Sequence, residues 1–207
     1  MKKSILIIAL LFAGISTAQS KYQAGMKKAF SLWSEGKMSE TSQLFERISK
    51  AEPTKWKPAY YAATVEIIGS FQIKDEVKLK AKLTKAQEFL DAATTNSPNN
   101  PEILITQALL NTAYIVFDGQ KYGMTMSMKN GGLYAKALKI APNNPRVIFS
   151  KAQSDIGGAR FFSKSTKPYC AEIKRAIKLS KEENIEEEFY PKFMLERAEQ
   201  ALKDCEK

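Results

Sequence analysis

Histidine is missing from all 207 residues. With it go the commonest general base, the usual activator of a nucleophilic serine or cysteine, and the commonest metal ligand. Glycine (10) and proline (8) are too few for a low-complexity or collagen-like chain. No apolar run reaches the ~20 residues that a membrane-spanning helix needs. No stretch alternates apolar and polar residues between hairpin turns, so no strand is predicted. There is no phosphate-loop lysine after a glycine-rich turn, no zinc-finger spacing, no RNA-binding aromatic motif and no serine in a nucleophile elbow. What is present is ordinary globular material, 44% apolar and 26% charged.

The chain opens MKKSILIIALLFAGISTAQS. Lys2 and Lys3 precede an apolar stretch from Ile5 to Ile15, and Ser16, Thr17 and Ala18 supply small residues for cleavage. That pattern predicts a secretory signal peptide over 1–18, leaving 19–207 as a single domain in the periplasm or outside the cell. The whole chain carries +10, and loss of the two lysines leaves 10 − 2 = +8. Lysines interleave with acids, as in Lys74 to Lys85 (KDEVKLKAKLTK), which reads as a solvated helical face and not as a nucleic-acid site.

Prolines mark a period. Pro53, Pro98 and Pro142 are separated by 98 − 53 = 45 and 142 − 98 = 44 residues, and the last two open the near-identical strings SPNNPEI and APNNPRV. Four columns run in phase with them: Phe45, Leu90 and Tyr134; Ile48, Ala93 and Ala137; Ala63, Ala108 and Ala152; Phe71, Phe117 and Phe161. Leu79, Leu83, Ala86, Leu90 and Ala93 are spaced 4, 3, 4, 3, which is one stripe of a helix. Pro101 and Pro145 suit a first helical turn, and Asn100 and Asn144 suit its cap. The pattern predicts an all-α fold with helices at 21–34, 38–51, 56–71, 77–95, 101–117, 122–140, 145–161, 166–181 and 187–205. They would form four antiparallel pairs and a closing helix with a polar outer face.

These residues resemble the tetratricopeptide repeat (TPR). In GKMSETSQLFERISKAEP, Gly36 falls at the inter-helix turn, Phe45 takes the aromatic position, Ile48 the next small or apolar position and Pro53 the closing proline. Thr41 stands where the family has alanine. Later copies keep Ala86–Leu90–Ala93–Pro98 and Tyr134–Ala137–Pro142, while the fourth keeps Ile173 and Ala176 with Lys181 in place of proline. The period of about 44 exceeds the family's 34, and the first helices lack its usual Trp and Gly. The paired NNP turns and the closing helix ending in Cys205 are similar to exported bacterial helical-repeat proteins. The resemblance implies an α-solenoid in which the first helix of each pair grips a peptide or partner helix. On this sequence that surface would include Lys57, Tyr60, Thr64, Glu102, Ile105, Leu109, Arg146, Phe149 and Gln153. Aromatic anchors with flanking cations suit an extended peptide with an acidic end. Equally, Ile105, Leu109 and Phe149 read as plain core.

Other features invite chemistry. Cys170 and Cys205 are an even pair in an exported chain, which suggests a disulfide. A hairpin of helices 166–181 and 187–205 would offset them by roughly 10 Å along the axis. A bridge tolerates about 4.4–6.8 Å between Cα atoms, so the spacing predicts two free thiols. The stretch 117–132 (FDGQKYGMTMSMKNGG) holds four glycines and three methionines. It is either an adaptable binding surface or gap-filling between helix pairs. Gly157 and Gly158 read as a kink or a close approach. The acidic run Glu182, Glu183, Glu186, Glu187 and Glu188 reads as a solvated loop. Together these predict a non-enzymatic scaffold or protein- and peptide-binding module of the bacterial cell envelope, with no cofactor, metal or nucleic acid. The alternatives are a carrier of an apolar ligand held between helices around Met124–Met128, and a helical enzyme using carboxylates.

Overall fold

The computed structural model describes residues 21–206; the signal peptide expected over 1–18 lies outside them. The described chain is all-α, with no strand among its residues. After α1 (21–34) come α2 (Met38–Ala51), α3 (Trp56–Ser70), α4 (Glu76–Asn96), α5 (Pro101–Phe117), α6 (Gly119–Ile140), α7 (Pro145–Phe161), α8 (Lys167–Glu182) and α9 (Leu195–Glu206). Contacts divide it into two compact units, one of residues 21–72 and 77–96, the other of 73–76 and 97–206.

The helices begin and end for local reasons. Gly36, at φ +74°, makes the left-handed turn between α1 and α2 that a residue with a Cβ resists. The Asn100 side chain accepts from the Glu102 backbone N–H at 2.9 Å. The Asn144 side chain accepts from those of Arg146 and Val147 at 2.8 and 3.2 Å. Both cap helices that open on proline, as the NNP strings imply. Asp118 caps α6 through the Lys121 N–H, 2.9 Å away. That cap starts the helix at Gly119, three residues before the expected 122, so the glycine–methionine stretch is helical throughout.

In the first unit, Thr41, Phe45 and Ile48 form the buried stripe of α2, and Leu79, Leu83, Ala86, Leu90 and Ala93 that of α4. Phe45 is fully buried among Phe30, Trp33 and Tyr61, with ring centroids 5.4–6.2 Å apart. Truncating such a ring costs about 3–5 kcal/mol. In the second unit, α5 and α6 are pinned by buried amides. Asn111 Nδ2 donates to Asn130 Oδ1 at 2.8 Å, and Asn130 Nδ2 donates to the Ala108 carbonyl at 3.1 Å. Around α7, α8 and α9 a core gathers Ile148, Phe149, Ala152, Ile156, Ile173 and Ala198.

Two expectations near the C-terminus are corrected. The last helix begins at Leu195, not 187: Phe189 takes φ +59°, outside the helical region, and Pro191 disfavours a helical residue at 190 before it. That shortening levels the cysteines. Cys170 lies twelve residues before the end of α8 and Cys205 ten after the start of α9. Their Cα atoms are 5.8 Å apart and the sulfurs are bonded. The predicted free thiols are a disulfide.

Three of the four repeat columns are buried in every copy: Phe45, Leu90 and Tyr134; Ile48, Ala93 and Ala137; Ala63, Ala108 and Ala152. The fourth splits, since Phe71 and Phe117 are half-buried and Phe161 is exposed.

Candidate functional site

Of the nine positions expected to face a partner, Lys57, Tyr60, Glu102, Ile105, Arg146 and Phe149 are buried, and Thr64, Leu109 and Gln153 are half-buried. Ile105 and Phe149 are members of core clusters. Lys57, Tyr60 and Thr64 belong to the first unit and the other six to the second.

Within the second unit the structure joins two of them directly. Arg146 Nε donates to Glu102 Oε1 at 2.9 Å, across a separation of 44 residues that is the repeat period itself. Asn144 Nδ2 donates to the same oxygen at 2.7 Å, and the Tyr190 hydroxyl at 3.4 Å. The other edge of the guanidinium grips Glu183 with two bonds, 2.7 and 2.8 Å long. The Tyr190 ring lies 5.3 Å from the guanidinium carbon. Tyr190 is again one period on, 190 − 146 = 44. Arg146 thus ties α5, α7 and the irregular stretch 183–194 together. Burial works against its charge, but the bonds to Glu183 and the charge of Glu102 outweigh burial, and its pKa rises. Burial first, then the charge of Glu102, pushes the Tyr190 phenol up to about 12. Glu102 is fully buried, and its Oε2 makes no hydrogen bond among the described residues. Within the acidic run, Glu183 is spent on this clasp, while Glu182, Glu186, Glu187 and Glu188 are exposed. No group of three acids or cysteines among the described residues is placed to hold a metal.

In the first unit the matching polar centre is Glu66. It accepts from the Ser42 hydroxyl, and Lys82 Nζ lies 2.5 Å from Oε2. Lys85 bridges Glu66 and Glu46 at 3.8 and 3.2 Å. Satisfied carboxylates of this kind are fold-holding groups, since none is both accessible and poised for proton transfer.

The surface of the second unit is different. Among the described residues, large exposed apolar side chains concentrate on the end of α5, on α6 and on the end of α7: Val116, Met124, Met128, Phe161 and Phe162. A Cβ placed on Gly119 would lie 3.5 Å from the Phe161 ring, so the start of α6 abuts the end of α7. The Phe161 and Phe162 centroids are 5.1 Å apart at a right angle. Tyr114 and Tyr122 pair at 5.1 Å, and the Tyr122 hydroxyl and Lys121 both reach Glu76 at 2.6 Å.

Glycine accompanies this edge. Gly123, Gly131 and Gly132 in α6 and Gly157 and Gly158 in α7 are helical, and a Cβ on any of them would meet nothing within 4 Å. Helix-interior glycine costs about 1 kcal/mol relative to alanine. No packing need inside the unit accounts for these five. Of the kink or close approach expected at Gly157 and Gly158, the close approach is absent, since both Cβ positions are open. Gly157 and Gly158 lie one turn before Phe161 and Phe162 and leave open, bare backbone there, while the Phe161 ring leans to Gly119 on α6. The sequence flagged the glycines and methionines, but Phe161 read only as one member of an aromatic repeat column, and nothing in the string showed that it faces outward.

No protein-family model matches the chain, and no curated relative matches it by sequence. The chain shares its fold with a solved structure, the HusA haemophore from Porphyromonas gingivalis, superposing with a TM-score of 0.74 at 23% identity over 88% of this chain and 91% of that one. At that identity the likeness is one of fold. Among the described residues no helix is long and apolar enough to cross a membrane.

Proposed function

We propose that the chain is a non-enzymatic, exported binding protein built on a TPR-like repeat, and that its cargo is a haem-class tetrapyrrole. The observation that carries this reading is the shared fold with a haemophore over nearly the whole of both chains. The bridged Cys170 and Cys205 support an oxidising compartment outside the cytoplasm, in agreement with the leader-like start. The carboxylates that a helical enzyme would need are tied into ion pairs or left on an exposed loop, which favours binding over catalysis. The exposed aromatic and methionine side chains of the second unit favour an apolar ligand. With no histidine in the sequence and the two cysteines joined, a bound haem's iron would meet tyrosine, methionine or lysine side chains.

Titrating ferric haem into the purified, oxidised chain tests this. A saturable Soret change at one haem per chain is expected, with a Kd in the micromolar range or below. Absorbance that rises linearly without saturation would overturn the reading. A protein partner in the envelope is the second reading, favoured by the solvent exposure that Leu109 and Gln153 of the second unit retain. If those residues grip a partner, a double alanine variant loses its capture from envelope extract while haem titration is unchanged.

A further inference from the structure

The exposed edge where α6 meets α7 has a particular chemistry. Phe161 and Phe162 present two ring faces at right angles, 66% and 67% exposed. Near them the backbone is bare at Gly157 and Gly158, and α6, whose Gly119 abuts Phe161, carries Met124, 81% exposed. Polarisable and uncharged, such a surface accepts a large ring, one phenyl meeting its face and the other its rim, because stacking and thioether contacts need close approach and no hydrogen bonds. Its rim is basic. Arg160 and Lys164 enter no ion pair among the described residues, and Lys164 Nζ sits 5.9 Å from the Phe162 centroid. The nearest acids along the chain are engaged: Asp155 by Lys151 and Glu172 by Arg175. Asp118 accepts the α6 cap bond.

We propose that this edge is the cargo site, with one face of the tetrapyrrole laid on one of the two phenyl rings, the other phenyl closing on its rim, the bare glycine backbone beside it, and its carboxylates turned to Arg160 and Lys164. The proposal rests on the haem-carrier reading and adds a place and a pose to it. Charge complementarity selects this occupant: the ring covers the apolar floor, and its acid groups lie on one side, as the unpaired cations do. The open Cβ positions explain why glycine is used where alanine would give a firmer helix. A side chain at Gly157 would stand where the ring must come down.

Four measurements on the full oxidised chain test it, with ferric haem and its dimethyl ester as probes. Phe161→Ala with Phe162→Ala should weaken both probes at least tenfold. Arg160→Ala with Lys164→Ala should weaken haem severalfold and leave the ester unchanged. Gly157→Leu should raise the melting temperature, since leucine is the better helix former, yet weaken haem at least tenfold. That combination separates a blocked site from a damaged fold. Anionic phosphatidylglycerol vesicles provide the fourth: wild-type chain should not co-sediment with them. Wild-type haem binding that survives the aromatic and glycine variants overturns the site while leaving the carrier reading intact. Absence of haem binding in the wild type overturns both. Vesicle binding abolished by the aromatic pair, with haem binding unchanged, assigns the edge to a membrane surface and also overturns the site.

Discussion

Replacing Arg146 by methionine would strand two carboxylates at once, Glu102 in full burial and Glu183 at its margin. Breaking a buried ion pair from one side costs about 3–5 kcal/mol. Urea unfolding of Arg146→Met should show a loss of that order. Arg146→Lys should recover only part of it, because an ammonium cannot hold Glu183 by two parallel bonds while reaching Glu102. A variant within about 0.5 kcal/mol of the wild type, the range of an ordinary surface change, would refute the clasp. The phenols make a second residue-scale prediction. Tyr134 and Tyr190 both have pKa values pushed up to about 12, Tyr134 by burial and then, against the opposing Ser154 bond, by Asp155. The fold prefers their neutral form. Their contribution is fully present below the unfolded value near 10 and is lost as pH rises through 12. Tyr190→Phe should therefore lose less stability than the wild type between pH 9 and 11.5, as read by thermal melts. Equal slopes would count against burial of the hydroxyl.

At the level of helices, most boundaries could be read from the string. The 4, 3, 4, 3 spacing in α4 and the NNP turns are local signals, and local signals set helix ends. The misread places are those where a distant contact decides. Phe189 adopts a left-handed backbone while Tyr190 beside it joins the Arg146 clasp, and α9 starts late as a result. Its late start brings Cys205 level with Cys170. The bridge closes a separation of 35 residues, for which loop-closure entropy gives about 3–4 kcal/mol. Cys170→Ser with Cys205→Ser should lower the unfolding midpoint accordingly, and thiol reductant should do the same to the wild type but not to the variant. The α6 glycines offer the opposite change. Gly131→Ala points into open space, so calorimetry should show a rise in melting temperature, worth about 1 kcal/mol. A fall would mean that the position is not open.

For the whole chain, composition excluded more than it identified. The missing histidine and the interleaved charge removed broad classes of chemistry, while Glu102 and Arg146, one repeat period apart, were expected to face a partner and instead bond each other. The surface was not legible. Lys57, Tyr60 and Phe149 lie on helices at positions indistinguishable by spacing from exposed ones, and only packing sent them inside. Phe161 shows the reverse. With a net charge of +10 on the full sequence, binding of an acidic ligand should weaken between 50 and 500 mM salt, since screening shortens to a few Å over that range. The diester of the same ligand should show little change. The covalent closure also sets where the gene can be trimmed. Cys205 is third from the C-terminal residue, so an extension after Lys207 leaves the bolt in place. Stopping translation at Asp204 discards three residues, leaves α9 held to α8 by apolar packing alone and leaves Cys170 a lone thiol.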